Sequence, residues 1–279
     1  MKKRIALLIA LSVIFASMLY PAYACTIFNA MGNGILLVGN NEEHADPNGE
    51  VKFEPSSEGK YGCITFAFGP YTQGGMNEQG LFFDCWAPVD FKLSPWIPGQ
   101  LLSTGEMPDR QPTMAEMMKI YTQYDSTSKK MLETCATVEE AILFYQQYYE
   151  PVFGYAHIMI VDKTGASADI TWDWAKNTMS VTHKSGSFQV IGLGRDYIYP
   201  RLDADDYEVS VDSFRELLKN TSIDITAYSN IYDLNQGVVY VYNQHDFENV
   251  VQFNLKEELD KGSHSFYLKD LFIKPGQQN

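Results

Sequence analysis

From residue 25 onward the hydrophobic pattern is that of a sheet protein. Thr26-Ile27-Phe28-Asn29-Ala30 and Ile35-Leu36-Leu37-Val38-Gly39 are two apolar runs on either side of Met31-Gly32-Asn33-Gly34. An Asn-Gly step between such runs is a hairpin signal, so Cys25 is expected to open a buried strand. Further strand patterns fall at 61–69, 80–86, 155–161, 166–172, 178–183 and 187–193. Tyr228 to Leu259 alternates in the same manner, with turns at Asn235-Gln-Gly and Asn243-Gln-His. Three segments carry the helical period instead: Thr113–Tyr124, Val138–Tyr149 and Asp212–Asn220. The second is preceded by Thr137 with Glu140 three residues on, the spacing of a capping box. Strands, then helices, then strands predict an α+β protein whose sheets are covered by helices.

The first 24 residues have a different character. Lys2, Lys3 and Arg4 precede an apolar run from Ile5 to Leu19, and Ala22 and Ala24 place small residues at −3 and −1 of a cut before Cys25. This is the layout of a secretory signal, so residues 1–24 are read as a signal peptide and 25–279 as one domain, secreted or periplasmic. A lipoprotein signal also ends at a cysteine, but its usual leucine at −3 is Ala22 here. The apolar run is shorter than the roughly 18 to 20 residues that span a bilayer, and no later stretch approaches that length, so no membrane anchor is expected in the mature chain. Lys2, Lys3 and Arg4 are the only charges in the segment, so its removal takes the formal net charge from −14 to −17 over 255 residues. A field of that sign argues against nucleic acid or anionic membranes as partners. No low-complexity linker or repeat divides the chain.

The cut leaves Cys25 first, with a thiol and a free α-amine on one residue. A thiol titrates near pH 8.5 and an α-amine near 7.7 to 8.0, so at neutral pH the amine can take the thiol proton without a catalytic histidine. The thiolate then attacks an amide carbonyl, a thioester forms, the amine protonates the departing nitrogen, and water releases the acid. Cys25 is equally open to a structural role in a disulfide. Cys63 and Cys85 lie on strand-like runs that can pair, and with Cys135 the four cysteines allow three pairings; none fits a C-x-x-C pattern. The five histidines show no metal-ligand spacing, Asp46 to Glu50 reads as a turn rather than a calcium loop, and Gly192-Leu-Gly194 lacks the third glycine of a dinucleotide loop. No metal and no cofactor are expected.

Several stretches resemble a known family. Cys25-Thr26-Ile-Phe, the strand end Gly39-Asn40-Asn41-Glu42-Glu43, and Gly75-Met-Asn-Glu-Gln-Gly-Leu81 are similar to the choloylglycine hydrolase and penicillin V acylase group of N-terminal nucleophile (Ntn) hydrolases, near the linear amide hydrolases and isopenicillin N acyltransferase. The resemblance implies a four-layer αββα sandwich and an exported hydrolase of linear C–N amides in N-acyl compounds: penicillin V, conjugated bile acids, acylated lactones or short acyl-peptides. It also assigns roles. Cys25 is the nucleophile, and Asn40 stands where the family has an arginine. Glu43 stands for the family's aspartate, one methylene longer. The oxyanion positions fall at Trp86-Ala87 and Leu193-Gly194, where the family has asparagines, so backbone N–H groups are expected to serve. Arg201 is taken for a late arginine of the site, with Arg195 and Arg215 as rivals. Because the arginine and asparagines are missing, a secreted non-catalytic binding protein of the same fold stands as the alternative, and an acyltransferase as a variant of the first reading. The acyl group, the amine and the oligomeric state, a homo-oligomer included, are left open.

Overall fold

The computed structural model describes residues 25–69, 71–87, 127–147, 150, 152, 156–173, 176, 178–184 and 187–272. The signal segment and the helix expected over 113–124 lie outside the described residues.

The hairpin forms where the Asn-Gly step predicts it. Strand β1 (Thr26–Gly32) turns through Asn33 and Gly34, at φ of 54° and 77°, into β2 (Ile35–Glu43). Two positive φ angles are what a two-residue turn matched to strand twist requires, and Asn-Gly supplies them at least cost. The hairpin lies inside a six-stranded antiparallel sheet. Strand β10 (Phe188–Gly192) flanks β1, and β11 (Thr226–Asp233), β12 (Val238–Asn243) and β13 (Asp246–Asn254) follow beyond β2.

A second antiparallel sheet has eight strands in the order β14 (His264–Tyr267), β3 (Glu50–Glu54), β4 (Cys63–Phe68), β5 (Tyr71–Asn77), β6 (Phe82–Trp86), β7 (His157–Val161), β8 (Ser167–Asp173) and β9 (Thr178–Lys184). The period of two along each strand sorts side chains into three cores. Ile27, Leu36 and Val38 meet Phe66, Met76 and Phe82 between the sheets. Phe28 and Leu37 turn outward onto α3 (Arg195–Leu202) and α4 (Val211–Thr221). Phe83, Ile158 and Ile160 turn outward on the other side, onto α1 (Thr127–Thr134) and α2 (Val138–Gln147). The layers are therefore helix, sheet, sheet, helix.

Helix α4 shows why its segment is helical. Phe214, Leu217, Leu218 and Thr221 form one buried stripe, and Ser210 and Ser213 cap the first turn reciprocally. Asn41 on β2 donates its Nδ2 to the Leu218 carbonyl (3.0 Å) and to Thr221 Oγ1 (3.2 Å), so the end of this helix is tied to the strand that flanks Cys25.

The structure departs from the sequence pattern in four places. Gly75 to Asn77 closes a strand, β5, that the sequence pattern did not mark, and β5 lies between β4 and β6. The Cys63 and Cys85 strands are thus not neighbours, and all four cysteines are free. Leu255–Leu259 is a short helix, α5, not the end of a strand; Asn254 Oδ1 caps it by accepting from Glu257 N–H. Helices α1 and α3 and strands β3 and β14 were not legible, nor was the last short helix, α6 (Leu268–Leu271). Among the described residues no helix is long and apolar enough to cross a membrane.

Candidate active site

The hairpin register determines what surrounds Cys25. Thr26 pairs with Asn41 and Ile27 with Asn40, so Cys25 stands opposite Glu42 at the open end of the hairpin. On the next strand Tyr228 pairs with Glu42 and Asn230 with Asn40. By the period of two, Cys25, Asn40, Glu42, Tyr228 and Asn230 share the face that looks toward the second sheet, the face on which Ile27 and Tyr228 join the inter-sheet core.

Strand β6 supplies the opposite wall. Asn40 donates from Nδ2 to Asp84 Oδ2 at 2.8 Å, a buried hydrogen bond from one sheet to the other. The second Asp84 oxygen accepts from the Cys85 N–H at 2.7 Å. Gly74, paired with Asp84 on β5, leaves the space for this carboxyl, since a Cβ there would run into it. Trp86 follows two residues on, its ring 4.9 Å from that of His157, and His157 Nδ1 lies 2.9 Å from Asp169 Oδ1.

The electrostatics of this space are unusual because carboxyls collect in it without a cation among the described residues. Burial, followed by Glu42 and Asp84, pushes the Cys25 thiol well above its ordinary value, while the Glu43 backbone N–H aimed at the sulfur works the other way. Glu42 is raised well above the carboxylate range by burial and by Asp84, against contacts from Asn40 and the Cys25 thiol. Burial raises Asp84 to about 7. No lysine or arginine among the described residues acts on either carboxyl.

Five buried polar atoms around this space have no partner among the described residues: Asn40 Oδ1, Glu42 Oε2, Tyr228 OH, Asn230 Oδ1 and Trp86 Nε1. Buried polar groups are normally satisfied, so several orphans on facing walls mark a place built to receive something polar. Asn230 Nδ2 bonds the Tyr232 hydroxyl at 3.1 Å. A hydroxyl both donates and accepts, so the Asn230 amide can present either end to the space.

The residues expected from the sequence are distributed unevenly. Cys25 and Asn40 come together; Trp86 stands on the facing strand two residues beyond Asp84, beside His157, with Ala87 following at the end of β6. Glu43 meets the sulfur through its backbone N–H, and its carboxyl adds only a small push upward on the thiol. Its side chain, one step out of phase, lies on the outer face, where Oε2 accepts from Thr226 Oγ1 at 2.8 Å and burial raises the carboxyl to about 7. Leu193 and Gly194 adjoin the nucleophile, but their N–H groups are already used. Leu193 N–H donates to the Cys25 carbonyl (3.3 Å) and Gly194 N–H to Thr26 Oγ1 (2.9 Å), so neither is free as an oxyanion donor. Arg201 is not brought to the site. It is exposed on α3, with its guanidinium 3.4 Å from the Tyr197 ring centroid and bonded to the Tyr197 carbonyl. Arg195 and Arg215, the remaining arginines of the described residues, lie on the same helical layer, over Tyr199 and beside Asp212. Glu42, Asp84, Tyr228 and Asn230 were missed; a polar residue inside an apolar strand, as in Leu81-Phe-Phe-Asp84, was the available signal. Among the described residues no group of three His, Cys, Asp or Glu side chains is arranged to hold a metal ion.

Two antiparallel sheets packed between helical layers, with a cysteine at the mouth of a central strand, define the αββα fold of the N-terminal nucleophile hydrolases. The chain is similar to the solved structure of penicillin V acylase from Agrobacterium tumefaciens, at a TM-score of 0.59 and 15% identity over 88% of this chain and 91% of that one. It is also similar to conjugated bile acid hydrolase from Clostridium perfringens, solved as an arginine-to-leucine variant, at a TM-score of 0.62 and 14% identity over 91% of this chain and 100% of that one. A cysteine-to-alanine form of the same hydrolase matches at a TM-score of 0.59, 14% identity and 92% of this chain. No family model and no curated protein sequence matches the chain.

Proposed function

We propose that this chain is an exported amidase that hydrolyses a linear C–N amide of an N-acyl compound, with Cys25 as an N-terminal nucleophile freed by removal of residues 1–24. The observation that carries the reading is the position of Cys25: it opens an interior strand of an Ntn-hydrolase fold, on the face shared by buried polar atoms that have no partner among the described residues. While its nitrogen is peptide-bonded the thiol is held neutral by burial and carboxyls. Cleavage supplies the missing base and the missing positive charge together. The free amine takes the thiol proton, Sγ bonds the amide carbon, and the ammonium returns the proton to the leaving nitrogen. Water then attacks the thioester, with the amine as its base.

Glu42, opposite Cys25 on β2, faces the freed amine and balances its charge. Donors for the oxyanion are side chains rather than the Leu193 and Gly194 amides: Trp86 Nε1–H and the Tyr228 hydroxyl. One observation favours the alternative, a non-catalytic binding protein of the same fold. Asn40 offers an amide where a guanidinium would hold a thiolate, and nothing cationic among the described residues replaces it.

The two readings separate on a panel of phenoxyacetyl amides, glycine-conjugated bile acids and N-acyl lactones, assayed with the exported protein and its Cys25→Ala variant. Turnover that disappears in the variant supports the amidase. Binding without turnover supports the alternative.

A further inference from the structure

We propose that the substrate class is cationic: an N-acyl compound carrying a protonated amine close to the scissile amide, received by Asp84 and Glu42. The inference rests on the amidase reading and adds the charge of its substrate. Two carboxyls, each at most 2% exposed, lie on facing strands around the nucleophile, joined through Asn40. The orphan atoms of the same space are mostly acceptors: Asn40 Oδ1, Glu42 Oε2 and, as oriented, Asn230 Oδ1. Acceptors call for donors, and an ammonium brings three donors and no acceptor.

The freed amine of Cys25 matches one carboxylate. The second has no cation among the described residues to match it. Lys60, Lys129, Arg201 and Arg215 are engaged by Glu133, Glu54, the Tyr197 ring and Asp212 respectively, and His157 at the rim is paired with Asp169. Burial favours the protonated form of this second carboxyl in the free protein, and a protonated amine of the substrate would let it ionise as an ion pair instead. An anionic group placed there would face both carboxylates. Gly74 supports a designed position for Asp84, since any side chain at that point would displace the carboxyl.

The test reads charge preference at Cys25 directly and does not need turnover. The exported protein, with its N-terminus verified by mass spectrometry, is treated with 2-aminoethyl methanethiosulfonate, whose amine is protonated, or with 2-sulfonatoethyl methanethiosulfonate. In each case the Cys25 thiolate forms a disulfide with the reagent and methanesulfinate leaves. Rates are taken from the N-terminal peptide, divided by those for free cysteine methyl ester, and measured at high salt so that distant charges are screened. The expected result is a cation-to-anion ratio of at least about tenfold, falling severalfold in both Asp84→Asn and Glu42→Gln. A ratio near one, a ratio favouring the sulfonate, or a ratio that neither substitution alters overturns the cationic class and leaves the nucleophile intact. A free N-terminal Cys25 that reacts with neither reagent overturns this inference and the amidase reading together. If one variant does not fold, the other decides.

Discussion

Substituting Asp84 by asparagine in the unprocessed chain, where the nitrogen of residue 25 is still in a peptide, isolates the cost of burying a carboxyl beside Glu42. Asparagine keeps the shape and can still accept from Asn40 or from the Cys85 N–H, but it cannot ionise. The Asp84 carboxyl rises from its ordinary 3.8 to about 7 in the folded protein. Below about pH 4 it is protonated folded and unfolded alike and contributes nothing. As pH rises toward 7 the unfolded chain releases the proton and the native protein keeps it, so native stability falls across that window. A gap of roughly three pH units corresponds to about 4 kcal/mol. Asp84 also raises Glu42, which ionises more readily once Asp84 is gone, so the net gain is about 4 kcal/mol or more. Urea unfolding of both proteins from pH 3 to 8 measures it. Asp84→Asn should match wild type at the acid end and exceed it by that margin at pH 8. Parallel stability profiles, or a wild type that gains on the variant as pH rises, would refute the reasoning.

Gly192→Ala should cost about 3 kcal/mol or more and disturb the nucleophile, because Gly192 sits at φ 94° and an added Cβ meets the Cys25 carbonyl, which is backbone and cannot give way; thermal melts together with the Cys25 alkylation rate check both parts. Arg201→Ala should cost no more than about 1 kcal/mol and leave hydrolysis unchanged, since the side chain is exposed against Tyr197, and steady-state kinetics would expose any larger role. Iodoacetamide at pH 8 should alkylate Cys25 at least about tenfold faster in the exported chain than in the unprocessed one, where burial and carboxyls keep the thiol protonated.

Local signals located most of the frame. Asn33-Gly34 announced the hairpin, the strands of the second half fell within a residue or two of their patterns, and the stripe in α4 was visible as Phe214, Leu217 and Leu218. Strand β5 escaped because Gly74 and Gly75 carry no strand signal; they are glycines because the Asp84 carboxyl and the β4 backbone occupy the space a side chain would take. The site was less legible for a geometric reason. Matching Glu43 to a family position ignores alternation along β2, which puts Asn40 and Glu42 on the face of Cys25 and Glu43 on the other. Asp84, Tyr228 and Asn230 meet Cys25 only through pairings between distant strands, which no local pattern encodes. Arg201 had suitable chemistry, yet its helix turns it to solvent.

The most direct test is rapid-quench mass spectrometry of the exported protein mixed with a hydrolysable N-acyl amide. The expected result is a mature chain that begins at Cys25 and gains the mass of one acyl group on that residue during turnover, with no adduct and no hydrolysis in Cys25→Ala. A chain beginning elsewhere, or hydrolysis that persists without Cys25, would contradict it.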